Sequence, residues 1–280
     1  MDLKHLANMI ITDIDCHVVK NADKKRRNHL GASEIGKECS RELWYKFRWV
    51  ANKGFNGRMY RLFQRGHDEE PRFVKLLEQA GWVIEDIDPA TGEQYNFSAL
   101  SGHFGGSMDG KMVPPPGSQY ECLGKVIAEF KTSADKYHKK LTGDNVAREH
   151  PQHAAQMHLY GTKHEVQYAV YLSVNKNNDD LACEILPIDP QKAAGLEEKA
   201  RAIIFSQEPP PKINEDPAWW KCKFCDFHAN CHHNKAPDKN CRSCKNCRPG
   251  VEASWFCDVY QRYIPKESLT VEQACWESII

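Results

Sequence analysis

Three residues near the middle of the chain have types and spacing suited to phosphodiester chemistry. They are Asp109, in Gly105-Gly106-Ser107-Met108-Asp109-Gly110, and Glu129 with Lys131, in Ala128-Glu129-Phe130-Lys131-Thr132. In an extended strand, residues two apart share a face, so Glu129 and Lys131 project together while Phe130 turns into a core. Asp109 can approach from an adjacent strand, and its flanking glycines let another backbone or a ligand come close. A hard divalent cation such as Mg²⁺ binds carboxylate oxygens. Held there, it polarises a phosphate and lowers the pKa of an attacking water, while the lysine orients that water and stabilises developing charge. Each piece alone is weak, because a Glu-x-Lys on a strand is most often a surface ion pair.

The cysteines offer a second chemistry. Of twelve in all, Cys222, Cys225 and Cys231 form a C-x2-C-x5-C series. Tetrahedral zinc and a cubane iron–sulfur cluster each take four ligands. A fourth must therefore come from His228, His232 or His233 nearby, or from the distant Cys39. Further on, Cys241-x2-Cys244 is a metal-binding knuckle that Cys257 and Cys275 complete as an all-cysteine zinc site, with Cys247 competing for a place in the knuckle. Cys16, Cys122 and Cys183 are expected as free thiols in or near the core.

Taken in order, Asp109 followed by Glu129-x-Lys131 resembles the PD-(D/E)XK nuclease superfamily. The resemblance extends to Arg65-Gly66-His67-Asp68-Glu69-Glu70, similar to a helical element that supplies a further metal ligand. It extends also to Gln156-Met157-His158-Leu159-Tyr160, similar to the Q-x-x-x-Y element of the RecB-like branch. RecB and the CRISPR-adaptation nucleases carry a histidine where the spacing here gives Glu70, since His67 falls three residues early. The segment Ser33 to Tyr45, with Cys39 and Arg41, resembles the first cluster element of iron–sulfur nucleases such as AddB and the CRISPR-adaptation nucleases. In those proteins one cysteine precedes the nuclease core and three follow it.

The resemblance implies a restriction-endonuclease-like α/β fold (α+β), with a mixed central sheet flanked by helices. It implies a Mg²⁺ or Mn²⁺ site at Glu70, Asp109, Glu129 and the Phe130 carbonyl, and Lys131 placing the water. Gln156 and Tyr160 would lie on the DNA side, with Arg41 and Arg65 as DNA contacts. Cys39, Cys222, Cys225 and Cys231 would hold a 4Fe–4S cluster, with Zn²⁺ the alternative there. The tail, with Zn²⁺ at Cys241, Cys244, Cys257 and Cys275, resembles small phage-type zinc ribbons. The implied activity is a metal-dependent deoxyribonuclease, an exonuclease processing single-stranded or duplex DNA ends for recombination. Its partner would be a helicase, an annealing protein or an integrase. The alternatives are a CRISPR-adaptation-type trimming nuclease and a non-catalytic nucleic-acid-binding protein that keeps the fold.

The elements that must position these residues follow from periodicity and punctuation. Ser33 to Val50 reads as a helix capped by Ser33, and Arg58 to Ala80 as a longer one kinked at Pro71. Strands are expected within 82–87, 102–113 and 120–131, a helix over 152–160, a hairpin of 166–174 with 181–186, and a helix over 190–206. Pro209-Pro210-Pro211 marks a boundary. The expected division is a basic helical segment over 1–54, a nuclease core over 55–208, a cluster-binding segment over 209–235 and a zinc module over 236–280.

Composition narrows the class. In 280 residues, 38 Lys and Arg meet 38 Asp and Glu, so no global field points to a partner. Locally the balance breaks. Residues 20–61 hold twelve basic side chains against four acids, and 212–250 hold eight against four. Both stretches are interleaved with Trp, Tyr and Phe, a pattern suited to phosphate neutralisation and base stacking. Asp2, Asp13 and Asp15 interrupt any signal-peptide core, and no apolar run is long enough for a membrane span. A secreted disulfide scaffold and a membrane protein are thereby excluded, and a cytoplasmic protein of a bacterial or phage-infected cell is expected. No P-loop occurs, so any unwinding would fall to a partner.

Overall fold

The computed structural model describes residues 2–141, 146–270 and 274–280. A five-stranded mixed sheet is built from β1 (Val83–Glu85), β2 (Gly110–Val113), β3 (Val126–Ser133), β4 (Tyr168–Asn175) and β5 (Leu181–Pro187), in the spatial order β5-β4-β3-β2-β1. β3 and β4 run parallel and the other pairs antiparallel. The principal helices are α1 (Leu3–Asn21), α2 (Ser40–Phe47), α3 (Gly57–Gln79), α4 (Pro151–Lys163) and α5 (Pro190–Phe205). The expected architecture of a mixed sheet flanked by helices is therefore observed, with a cysteine-rich C-terminal region after it.

β3 separates the two faces of the sheet by its alternation. Val126, Ala128 and Phe130 pack with Phe73 of α3, Met112 and Val170. Phe130 stacks on Phe73 with ring centroids 5.0 Å apart. Burying each such ring contributes about 1.5–3 kcal/mol. Ile127, on the opposite face, joins the core that holds Met157 and Tyr160 of α4. Glu129 and Lys131 share the parity of Ile127, so the side chains expected to do chemistry leave β3 on the α4 side.

Several expectations fail locally. The helix expected from Ser33 begins at Ser40, capped by Cys39, whose sulfur accepts from the Glu42 amide at 3.4 Å. Residues 31–37 instead make successive turns, with Glu34 N–H to Gly31 O at 3.0 Å and Lys37 N–H to Glu34 O at 2.9 Å. Two interactions draw this segment out of a helix. Lys199 of α5 donates to the Ile35 carbonyl at 2.9 Å and to that of Lys37. Gly36 lies so close to α4 that a Cβ there would stand 2.6 Å from Gln152 Cα. α3 runs through Pro71 as one helix; Pro71 is exposed, so water can satisfy the carbonyl it leaves free. α1 falls within the 1–54 segment expected to be helical, though no particular helix is expected at these residues, and it buries none of them.

Residues 102–113 do not form one strand. Phe104–Ser107 pairs with Leu30–Gly31 and Asn96–Ala99 in a separate small sheet, whereas Gly110–Val113 is β2. Asp109 sits at the switch between the sheets. Cys16, Cys122 and Cys183 are exposed rather than in the core. Cys16 lies on the unburied α1, Cys122 in a short turn, and Cys183 on the edge strand β5.

The tail continues the main core. β6 (Cys247–Pro249), β7 (Trp255–Cys257) and β8 (Arg262–Ile264) form a small antiparallel sheet. Trp255 of β7 packs on Phe47 at 5.3 Å and on His103 at 5.6 Å. His103 Nε2 donates to the Gly250 carbonyl at 3.0 Å, and burial pushes its imidazole down to about 4, so the ring is neutral there. Among the described residues, no helix is long and apolar enough to cross a membrane.

Candidate metal centre

Asp109, Glu129 and Lys131 are brought together by the ladder between β2 and β3. Gly110 is paired with Ala128, which sets Asp109 beside the β3 backbone, and its Oδ2 accepts the Phe130 amide at 2.6 Å. Lys131 Nζ lies 2.5 Å from Glu129 Oε1 and 3.7 Å from Asp109 Oδ2, and donates to the Phe130 carbonyl at 2.9 Å. Two carboxylates and a backbone carbonyl thus converge on one cation, the lysine ammonium. Glu129 is only 1% exposed, and neither of its buried oxygens has a hydrogen-bond partner. Among the described residues, its one charged partner is the Lys131 ammonium, in a short ion pair.

These oxygens suit a hard divalent cation by donor type, and the ammonium stands in for one. Glu70 completes the set less closely. It lies on α3, 3.6 Å from His67 Nδ1, and with Lys131, Phe63 and Phe73 it lines an open cavity of about 310 Å³. Burial and then Asp109 raise its carboxyl above the ordinary range, against His67 and Lys131. Among the described residues, no three His, Cys, Asp or Glu side chains are gathered tightly enough to enclose an ion as they stand. Glu70 must turn from His67 to join Asp109 and Glu129.

Burial pushes the Glu129 carboxyl up to about 7, with Lys131 opposing and Asp109 and Glu70 adding. Burial also lowers the Lys131 ammonium, but Glu129 and Asp109 more than offset this and raise it. Without metal, Glu129 keeps its proton more readily folded than unfolded. Its contribution to stability is present at low pH and lost as pH rises through about 7. In EDTA, thermal melts should lose stability between about pH 5 and 8 from this group. Mg²⁺ should remove the loss, and its affinity should rise with pH over the same window because binding needs the ionised form. Glu129→Gln should flatten both profiles, and equal slopes in wild type and variant would refute the assignment.

Gln156 and Tyr160 lie one turn apart on α4, 6% and 2% exposed, and neither lines the open cavity. Tyr160 is nonetheless close to the acids: burial, Glu129 and Asp109 all raise its hydroxyl. The glycines beside Asp109 have a specific cause. A Cβ at Gly106 would meet the Tyr160 hydroxyl at 2.5 Å, and one at Gly105 would meet the Phe97 carbonyl at 2.5 Å. Both expected DNA contacts are engaged by backbone carbonyls. Arg41 Nε donates to the Pro210 carbonyl at 2.6 Å, and Arg65 Nη2 to that of Lys176 at 2.8 Å.

The sequence reading missed Tyr171 and His153. Tyr171 is the register partner of Glu129 on β4, and its hydroxyl lies 3.1 Å from His153 Nδ1. Burial, with Lys131 and His150, pushes His153 down to about 3, so it is neutral. The available signal was the His150/His153 pair one turn apart at the start of α4.

The cysteines fall into the two expected neighbourhoods. Cys39, Cys222, Cys225 and Cys231 line one cavity of about 480 Å³, together with His228 and His232. Burial pushes Cys225 up to about 11, with Cys39 contributing. In the tail, burial pushes Cys241 up to about 11, with Cys244, Cys275 and Cys257 adding. Cys247 faces Cys257 across β6 and β7. Both sets are all-sulfur donors, the donor type that zinc or an iron–sulfur cluster takes, but among the described residues neither is closed around an ion as it stands.

No protein-family profile matches the chain, and no curated protein sequence matches it. Among solved structures the chain is similar to the alkaline exonuclease LHK-Exo from Laribacter hongkongensis, with 16% identity, 64% of this chain and 87% of that chain covered, and a TM-score of 0.44. LHK-Exo in complex with dAMP gives 0.43 with the same identity and coverage. SSO0001 is similar at 14% identity, covering 81% of this chain and 98% of that chain, with a TM-score of 0.43. Likenesses this remote leave the chemistry to the side chains.

Proposed function

We propose that this protein is a metal-dependent deoxyribonuclease, acting as an exonuclease on DNA ends. The observation that carries the reading is the convergence of Glu129 Oε1, the Phe130 carbonyl and Asp109 Oδ2 on one ammonium, at 2.5, 2.9 and 3.7 Å. A surface ion pair would not bury its carboxylate to 1% exposure or draw a second carboxylate from a neighbouring strand. In this reading Asp109, Glu129, the Phe130 carbonyl and Glu70 hold Mg²⁺ or Mn²⁺. The ion supplies Lewis acidity toward the phosphate and a more acidic water. Lys131, released from Glu129, orients that water toward the phosphorus and stabilises charge on the phosphate oxygens. Tyr160 and Gln156 support the acids from α4, and His153 fixes the Tyr171 hydroxyl beside Glu129. The basic segment 20–61 and Arg41 and Arg65 supply phosphate contacts, and end processing in recombination is the proposed setting.

The test is incubation of purified protein with 5′- and 3′-end-labelled single-stranded and duplex DNA in Mg²⁺, Mn²⁺ or EDTA. Cation-dependent product from wild type and none above background from Glu129→Gln is expected. Equal, negligible product from both would end the catalytic reading and leave a nucleic-acid-binding protein.

We propose further that Cys39, Cys222, Cys225 and Cys231 hold a 4Fe–4S cluster, with the shared cavity as support. The cluster would join residues 39 and 222–231 across the intervening fold, where closing a long loop helps most. Anaerobically purified protein should be brown with broad visible absorbance, and Cys225→Ala should bleach it. A colourless protein carrying two zinc ions would remove the cluster and assign zinc to these cysteines.

A further inference from the structure

Arg48 and Arg242 are both 0% exposed. A guanidinium stays charged at any physiological pH, and a buried charge calls for a counter-ion. Among the described residues, no salt bridge joins either one to a carboxylate. Arg48 Nη2 donates to the carbonyls of Cys244 and Cys247 at 3.1 and 2.8 Å, while its Nε and Nη1 have no partner. Arg242 donates to the carbonyls of Asn28, at 3.1 Å, and Phe47, and its Nε has none. Both cations lie against the Trp255 ring, at 5.2 and 4.5 Å. Carbonyl dipoles and ring faces soften these charges without cancelling them.

The neighbouring groups are sulfurs. Arg242 falls between Cys241 and Cys244 in the chain, and Arg48 holds the carbonyls of Cys244 and Cys247. Neutral thiols supply no counter-charge, whereas four thiolates around a divalent ion form a dianion. We propose that Arg48 and Arg242 are the built-in counter-cations of a dianionic zinc centre at Cys241, Cys244, Cys257 and Cys275. Metal loading of the tail and docking of the tail on residues 27–48 are then one event. The residues after Cys275 reach back to the knuckle: the Glu277 amide donates to Cys244 Sγ at 3.5 Å, and Trp276 Nε1 to Ser243 Oγ at 3.1 Å. Through the carbonyls of Arg27, Asn28 and Phe47, Arg242 ties the tail to the end of α2, the helix that Cys39 caps.

The test uses the full chain and needs no nuclease activity. Zinc content should fall by one ion per chain in Cys241→Ser, and Co²⁺ at this site should show thiolate charge-transfer bands. In competition with a chelator, Arg48→Met should weaken zinc binding by about 10–100-fold, as loss of an outer partner does, while Arg48→Lys keeps most of it. In wild type, removing zinc should speed amide exchange over residues 27–48 as well as over 240–258. Unchanged zinc affinity in Arg48→Met, unchanged zinc content in Cys241→Ser, or loosening confined to the tail would each overturn the proposal. If Arg48→Met does not fold, the wild-type exchange experiment decides.

Discussion

Lys131→Ala is expected to lower the single-turnover rate of DNA cleavage by about 10²–10³-fold, the range seen when a charge-stabilising donor is removed. DNA affinity should hardly change, because this ammonium, though it lines the open cavity, is already engaged by Glu129 and Asp109. The two losses that accompany it have opposite dependence on metal. Without a cation, Glu129 has no counter-charge and must keep its proton to stay buried, so the deficit grows with pH toward about 3–5 kcal/mol, the cost of breaking a buried pair. With Mg²⁺ present the competing ammonium is gone, so metal affinity should rise and the stability deficit should shrink. Cleavage kinetics, calorimetric Mg²⁺ titration and melts with and without Mg²⁺ read the three effects separately. A variant that cleaves at the wild-type rate would remove Lys131 from the reaction. One that loses activity yet shows no metal-dependent change in stability would leave the ammonium as a surface charge.

Trp255→Ala is expected to have the largest effect on stability, about 3–5 kcal/mol, the range for truncating a buried aromatic ring. Trp255 is 1% exposed and touches Phe47, His103, Arg48 and Arg242. Its loss removes ring contacts, leaves a cavity and takes the shared face from two buried guanidiniums. Trp255→Phe should recover part of the loss by refilling the cavity. Thermal or denaturant unfolding measures this, and the transition of the whole chain should shift rather than that of the tail alone. A change below about 1 kcal/mol, or a separate early transition, would mean that the tail is a dispensable appendage.

The parts of the site that were legible in the sequence were those set by local geometry. Strand alternation put Glu129 and Lys131 on one face and Phe130 on the other. Helical periodicity put Gln156 and Tyr160 one turn apart, and close spacing paired Cys241 with Cys244 and Cys222 with Cys225. Arg58 to Ala80 and the 166–186 hairpin were readable because their patterns run for many residues. The Ser33 helix was misread because its local cues were sound. Lys199 and the close approach of α4 at Gly36, both far along the chain, overrode them.

What the sequence determined, then, was which groups could meet on one face of one element. The tertiary structure decided that Asp109 joins Glu129 and Lys131 from the switch between two sheets, and why Gly106 beside it carries no side chain. It also decided that Arg48 is buried against the Cys244 and Cys247 carbonyls, although residues 20–61 read from the sequence as suited to phosphate neutralisation and base stacking. These facts arise from contacts between residues 21 to 199 positions apart. Such contacts leave no period in the chain, and burial makes them the strongest electrostatic features of the fold.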